Sequence, residues 1–306
     1  MYKRQAQAGG FLDLCYTPEL AEEVTLQPIR RFGFDASILF ADILLIPQAL
    51  GQELWFETGE GPRLTPVNSA VGLSHEKAMS HLAPIIETVS RLSNSLPKET
   101  TLIGFAGAPW TVASYMVAGR GTADQAPARK LAEDAPDDFQ SIIDILVAAT
   151  IDYLAAQAEA GAEVLQLFES WAGSLSGAGF ERWCIEPVAA IISGLRARGV
   201  NVPIIGFPRA ADWDMGDYAA RTHCQVLGLD SFADRREIIK QVPDDIALQG
   251  NLDPQILVRG GDQMKRAVQE ILEDFDGRKF IFNLGHGIVP QTPPEHVAEL
   301  VSLVRG

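Results

Sequence analysis

Leu102-Ile-Gly-Phe-Ala-Gly-Ala-Pro-Trp110 begins as a nearly continuous apolar run and breaks into Gly107-Ala-Pro-Trp110. A run without polar alternation is how a strand buried on both faces of a parallel sheet reads. Six further runs share the pattern. Ala36-Ser-Ile-Leu-Phe-Ala41 lies upstream, and Val164-Leu-Gln-Leu-Phe168 and Val202-Pro-Ile-Ile-Gly-Phe207 lie downstream. Val226-Leu-Gly-Leu229, Ile246-Ala-Leu-Gln249 and Phe280-Ile-Phe-Asn283 complete the set. Helical patterns separate them. Thr17-Pro18 supplies an N-cap hydroxyl and a proline for the first helical position. Between Asp138 and Ala160, apolar residues at Ile142, Ile145, Leu146, Ala149 and Tyr153 mark one helix face, which Gly161 can end. Gly51–Pro66 reads as an irregular hairpin insertion, and Thr122–Asp137 as a loop with an acidic helix start.

Strand–helix alternation along the whole chain means an α/β fold on a parallel sheet. No G-x-G-x-x-G follows the first strand, so a dinucleotide-binding open sheet has no support. Polar residues favour a closed (β/α)8 TIM barrel, whose chemistry sits where strands end. Asp42 follows the first run, Gly107-Ala-Pro-Trp110 the second and Glu169-Ser170 the third; Leu284-Gly-His286-Gly follows the last. The count is seven strands where a barrel needs eight.

Composition sets the limits. The 306 residues carry 25 basic and 40 acidic side chains, a formal net charge of −15, and 47% of them are hydrophobic. That content suits one folded domain over residues 1–306 and excludes a disordered chain. The acidic balance argues against nucleic acid and anionic membrane as partners. No apolar run of transmembrane length and no secretory leader is evident. Three cysteines without C-x-x-C spacing favour a reducing compartment, hence the cytoplasm.

Each candidate has a structural reading beside its functional one. Asp42, in Ile-Leu-Phe-Ala-Asp-Ile-Leu, is a carboxylate in an apolar stretch that needs a cleft, a partner or a cap. Tyr115 is one to two turns into a strand-end helix, where a core aromatic is the plainer expectation. Ser170 lacks the G-x-S-x-G context of a nucleophile and reads as a hydrogen-bonding group or cap. His286 lies between Gly285 and Gly287, which allow close backbone approach. Asp253, in Gln249-Gly-Asn-Leu-Asp-Pro254, reads as the cap of the next helix. No residue set has zinc-ligand spacing.

Taken together, these segments resemble the uroporphyrinogen decarboxylase family. The resemblance rests on Leu26-Gln-Pro-Ile-Arg-Arg-Phe32, Ile38-Leu-Phe-Ala-Asp-Ile-Leu44 and Ile46-Pro-Gln-Ala-Leu-Gly51. It continues through Gly107-Ala-Pro-Trp-Thr111, Gln166-Leu-Phe-Glu-Ser170, Gln249-Gly-Asn-Leu-Asp-Pro254 and Asn283-Leu-Gly-His-Gly287, in the family's order and from Ala6 to the C-terminus. It implies a TIM barrel, a homodimer, no cofactor and no metal. It implies loss of four acetate carboxyls from uroporphyrinogen III to give coproporphyrinogen III in haem biosynthesis. Asp42, Tyr115 and His286 match the family's catalytic positions. Asp42, Tyr115, Ser170 and His286 match its polar substrate-binding positions, and Phe168 and Ile38 its apolar pocket wall.

The family opens with a strand and loop of pattern Met-Arg-Gln-Ala-Gly-Arg-Tyr-Leu-Pro-Glu, whose arginines meet substrate carboxylates. This chain does not show that pattern. The expectation is a barrel without its first strand and loop, with Met1–Gln5 non-native, low solubility and little activity. Two alternatives stand beside the decarboxylase. One is a zinc-dependent corrinoid or thiol methyltransferase of the same superfamily, disfavoured because Ile205-Gly-Phe-Pro-Arg-Ala210 offers no ligand. The other is a non-catalytic tetrapyrrole-binding barrel.

Overall fold

The computed structural model describes residues 9–57, 59–211 and 215–306. Met1–Gln5 lie outside the described residues.

All seven apolar runs become strands of one parallel sheet. They are β1 (Ala36–Ile38), β4 (Thr101–Gly107), β5 (Val164–Glu169), β6 (Ile204–Pro208), β7 (Val226–Gly228), β8 (Ala247–Leu252) and β9 (Phe280–Leu284). Their order in space is their order along the chain. That is a TIM-barrel-like fold. The insertion is an antiparallel hairpin of β2 (Leu54–Glu57) and β3 (Gly61–Leu64).

Helices cover the outer face: α1 (Phe11–Cys15), α2 (Pro18–Phe32), α3 (Leu45–Ala49), α4 (Ala78–Ser95) and α5 (Pro109–Ala118) come first. Next are α6 (Ala126–Asp134) and α7 (Pro136–Glu159). Thr122–Asp137 is therefore not a loop. Gln125 and Pro127 start α6, which stops at Ala135 before Pro136 opens α7. The rest are α8 (Gly177–Phe180), α9 (Glu186–Ala197), α10 (Met215–Thr222), α11 (Arg235–Gln241), α12 (Pro254–Arg259), α13 (Gly261–Asp274) and α14 (Pro294–Arg305). By length and composition α7 is apolar enough to cross a membrane, contrary to the sequence reading. It nevertheless buries Phe139, Ile142, Leu146, Ala149 and Tyr153 in the core. Those are the periodic positions of a helix that lies on a sheet.

β1 is short, and its early end leaves a backbone problem. It pairs with β4 only from Ala36 with Thr101 to Ile38 with Ile103. Beyond that point Phe105 has no β1 neighbour, and a side chain takes the place of the strand. Gln157 on α7, fully buried, accepts from the Phe105 N–H at 2.9 Å and donates to its C=O at 3.0 Å. Gly104 must be glycine for this, since a Cβ there would stand 2.5 Å from Gln157 Oε1.

Among the described residues β1 and β9 each have one edge without a strand partner. The helical layer still closes across this seam. Arg305, at the end of α14, donates to the Gly33 C=O at 2.6 Å and pairs with Asp35 at 2.8 Å. Ile38 and Ile281, on the two edge strands, are exposed. Phe280 stacks on Phe275 at 4.0 Å and also meets Phe282 edge-on, on the helical side. Strand alternation then turns Ile281 and Asn283 to the barrel interior.

Replacing Gln157 by Leu leaves both Phe105 backbone groups buried without partners. We expect a loss of about 3 kcal/mol of stability, read from the urea unfolding midpoint.

Candidate active site

The sheet carries its polar residues to one end, where the strands stop. Asp42 lies between β1 and α3. Its carboxylate is half-buried, and Oδ1 accepts the Leu44 N–H at 2.8 Å. The cap expected of an aspartate in this stretch is thus present, as an Asx turn. Oδ2 has no such bond, and Asp42 makes no ion pair among the described residues. Burial pushes its pKa above the usual carboxylate range, and the Leu44 N–H pulls it partly back.

Three groups that sequence reasoning missed surround this carboxylate. Cys15, Tyr16 and Tyr153 all have their ionisation pushed up, by burial first and by further neighbours that in each case include Asp42. Tyr16 donates to Gln48 Oε1 at 2.8 Å. These residues come from α1, its C-cap and α7, so no local pattern could have joined them to Asp42. Tyr115 is the seventh residue of α5 and is half-buried. Burial raises its pKa, the Asp42 charge raises it further, and a hydrogen bond with Trp171 opposes both. The Asp42 charge thus acts on the Tyr115 hydroxyl.

A further residue whose role the sequence did not show, Glu169, ties the helix of Tyr115 to the loop of Ser170. It is the last residue of β5 and is fully buried. Oε1 accepts the Thr111 N–H at 2.7 Å and the Thr111 hydroxyl, which caps the start of α5. Thr111 Oγ1 in turn accepts the Trp171 N–H at 3.1 Å. Trp110 Nε1 donates to the Trp171 C=O and to Ser174 Oγ, both at 3.1 Å. Thus the helix bearing Tyr115 and the loop bearing Ser170 are joined through one carboxyl group. Glu169 Oε2 is buried without a partner. Desolvation outweighs the Thr111 bonds and pushes the Glu169 pKa up to about 8.

Ser170 is half-buried and caps no helix. Phe168 is half-buried and edge-on to Phe105 at 5.6 Å and to Phe207 at 6.0 Å, an aromatic wall across three strands. Ile38 ends β1 and is 41% exposed, on the opening rather than deep in a wall.

His286 is exposed on the loop after β9. It lines a cavity of about 190 Å³ with Arg209, Asp230, Ser231, Asp253 and Gly285, at the ends of β6 to β9. Gly285 allows the close approach expected of it, because a Cβ there would collide with the Ser231 N and the Asp230 backbone. Gly287 has no such neighbour. Asp253 caps α12 by accepting the Gln255 N–H at 2.8 Å, as expected. Among the described residues, no three His, Cys, Asp or Glu side chains gather where they could hold a metal ion.

Comparison with known proteins gives the family. The chain matches the model of the family described as Uroporphyrinogen decarboxylase (URO-D) over residues 1–306. It is 54% identical over 306 residues to the uroporphyrinogen decarboxylase of Paracoccus denitrificans, covering 99% of this chain and 90% of that one. It is 54% identical over 300 residues to that of Sphingopyxis alaskensis, covering 97% and 87%. Among solved structures, a methyltransferase from Methanosarcina mazei superposes with a TM-score of 0.81 at 20% identity, over 99% of this chain and 90% of that chain. At that identity the likeness is one of fold.

The Glu169 carboxyl makes stability depend on pH with a definite sign. Its folded-state pKa lies above the ordinary value, so the unfolded chain holds fewer protons between about pH 4.5 and 8. Stability from this group is present below that window and falls as pH rises through it. Glu169→Gln cannot ionise. Urea midpoints measured at pH 5.5 and pH 8.5 should fall less in the variant than in the unsubstituted protein.

Proposed function

The chain belongs to the uroporphyrinogen decarboxylase family, cofactor-independent carboxy-lyases of haem biosynthesis, and we propose that Asp42 is the group around which its reaction is organised. The reaction removes carboxyl groups from uroporphyrinogen. Each acetate arm that loses CO2 leaves an electron pair that needs a place to go. Protonation of the ring carbon next to the one bearing the arm turns that ring into a cationic sink in conjugation with the arm. The C–C bond then breaks, CO2 departs and its electron pair neutralises the ring. A proton taken up at the exocyclic carbon completes the methyl group, and one ring-carbon proton is lost.

The observation that carries the reading is the state of Asp42. It is a half-buried carboxylate in an apolar setting, held by one backbone N–H and by no cation among the described residues. Such a group suits the inward-pointing pyrrole N–H donors of a tetrapyrrole, and its charge favours the cationic ring over the neutral one. Tyr115 lies within its field and orients a carboxylate arm through its hydroxyl. Ser170 and His286 hold further arms from the ends of β5 and β9. Phe168 and Ile38 border the macrocycle with apolar surface.

The same reading makes the enzyme a cytoplasmic homodimer. Cys15, Cys184 and Cys224 are unpaired and buried, as a reducing compartment allows. Phe232 and Ile288 are 85% and 56% exposed beside the His286 cavity, apolar surface that a second copy would cover. Sedimentation should give a particle of two chains.

Anaerobic incubation with uroporphyrinogen III, followed by chromatography of the oxidised products, sets this reading against the low activity expected from the sequence: intermediates of seven to five carboxyls and then coproporphyrinogen should appear. Asp42→Asn keeps the acceptor for Leu44 and should keep the near-ultraviolet spectrum of the fold. We expect its turnover to fall by about 10²–10³-fold. Near-normal turnover in that variant would defeat the assignment.

A further inference from the structure

Arg209 is the residue after β6, and its backbone is held on two sides. Its N–H donates to the Glu169 C=O at 3.1 Å, and its C=O accepts the Gly173 N–H at 3.0 Å. The last registered pair of the two strands is Glu169 with Pro208. Ser170 and Arg209 are the next residue on each strand, so they stand side by side at the mouth. Ala210 follows in the left-handed region, at φ 59°, and its N–H is gripped by Asp230 Oδ2 at 2.6 Å. Few conformations are left to the backbone that presents this side chain.

The guanidinium is half-buried and lines the same cavity as His286. Two carboxylates line that cavity as well, and both are engaged with backbone N–H groups. Asp230 holds the N–H of Ala210 and, at 2.7 Å, that of Phe232; Asp253 holds that of Gln255. Among the described residues Arg209 has neither a side-chain hydrogen bond nor an ion pair. By contrast Arg235 and Arg236 share Asp274, and Arg221 is paired with Glu181. In a chain with 40 acidic side chains, a half-buried guanidinium at the mouth, on a fixed backbone and unpaired among the described residues, is a site prepared for an incoming anion.

We infer that Arg209 is a substrate-binding residue that takes one carboxylate arm of the tetrapyrrole in its guanidinium fork, next to the arms held by Ser170 and His286. The planar fork matches a carboxylate at two points, which a lysine ammonium cannot do. This assignment rests on the decarboxylase reading.

The test is binding of uroporphyrin, the stable octacarboxylate, followed by its fluorescence on titration with the protein. Arg209→Gln should weaken binding by about tenfold or more, the worth of a charge-assisted pair. Arg209→Lys should recover part of that loss. Lys240→Ala, which removes an exposed charge paired with Glu237 on α11, should leave the affinity unchanged. In turnover the Arg209→Gln effect should fall on KM more than on kcat. If Arg209→Gln binds uroporphyrin as tightly as the unsubstituted protein, the inference is overturned and the functional reading stands. If the unsubstituted protein binds no uroporphyrin and turns over no uroporphyrinogen, both are overturned. If Arg209→Gln is unfolded by circular dichroism, Arg209→Lys decides: unchanged affinity in that variant overturns the inference.

Discussion

A single buried carboxyl group, that of Glu169, joins the parts that the proposed reaction would use. Its side chain caps α5, the helix that carries Tyr115. Its own C=O receives the N–H of Arg209 from the neighbouring strand. Its successor in the chain is Ser170. Three elements from different parts of the sequence are thereby indexed to one residue, within the tolerance of a few hydrogen bonds. Desolvation of Glu169 opposes folding above its raised pKa. What is gained is position: a strand end, a helix start and a loop are held at fixed mutual offsets, as a site on a rigid scaffold requires.

The mouth has two electrostatic halves. Around Asp42 the neighbours are Cys15, Tyr16, Tyr115 and Tyr153, groups that stay neutral near pH 7 because burial and the carboxylate both discourage their ionisation. That half is negative and otherwise apolar, which suits a ring system that becomes cationic during reaction. At the ends of β6 to β9 the guanidinium of Arg209 and the imidazole of His286 face a shared cavity. That half suits carboxylate arms. The macrocycle of the proposed reaction, with N–H donors at its centre and carboxylates at its rim, has the same division of charge. The net charge of −15 bears little on this, because a rim of a few oriented groups outweighs a distant average at contact range.

Much of this was legible in the sequence, and the limits have a physical pattern. Features set by neighbours along the chain were readable: the seven apolar runs, the hairpin after Gly51, the Asp253 cap and the close approach at Gly285. The strand-end positions of Asp42, Ser170 and His286 were readable, whereas the roles proposed for them and for Tyr115 came from the family resemblance. Gln157, Glu169 and Arg209 were not readable in their roles. Gln157 acts on a residue 52 positions away, and Glu169 on one 58 away. Within its own helix Gln157 is an ordinary polar residue. Its importance comes from the early end of β1, which leaves Phe105 to be satisfied from outside the sheet. The missed helix α6 shows the opposite failure: prolines and acidic residues at its flanks masked an ordinary helical run of nine residues.

The seam between β1 and β9 separates two kinds of closure. Around the rest of the ring, strand-to-strand hydrogen bonds hold the circumference, and they are indifferent to dissolved ions. At the seam the described closure is between helices, through Arg305 with the Gly33 carbonyl and the exposed Asp35. An exposed pair of this kind is screened by salt over about 10 Å at 0.1 M ionic strength. Among the described residues, the strand ladder and the Arg305 contact therefore differ in their response to salt.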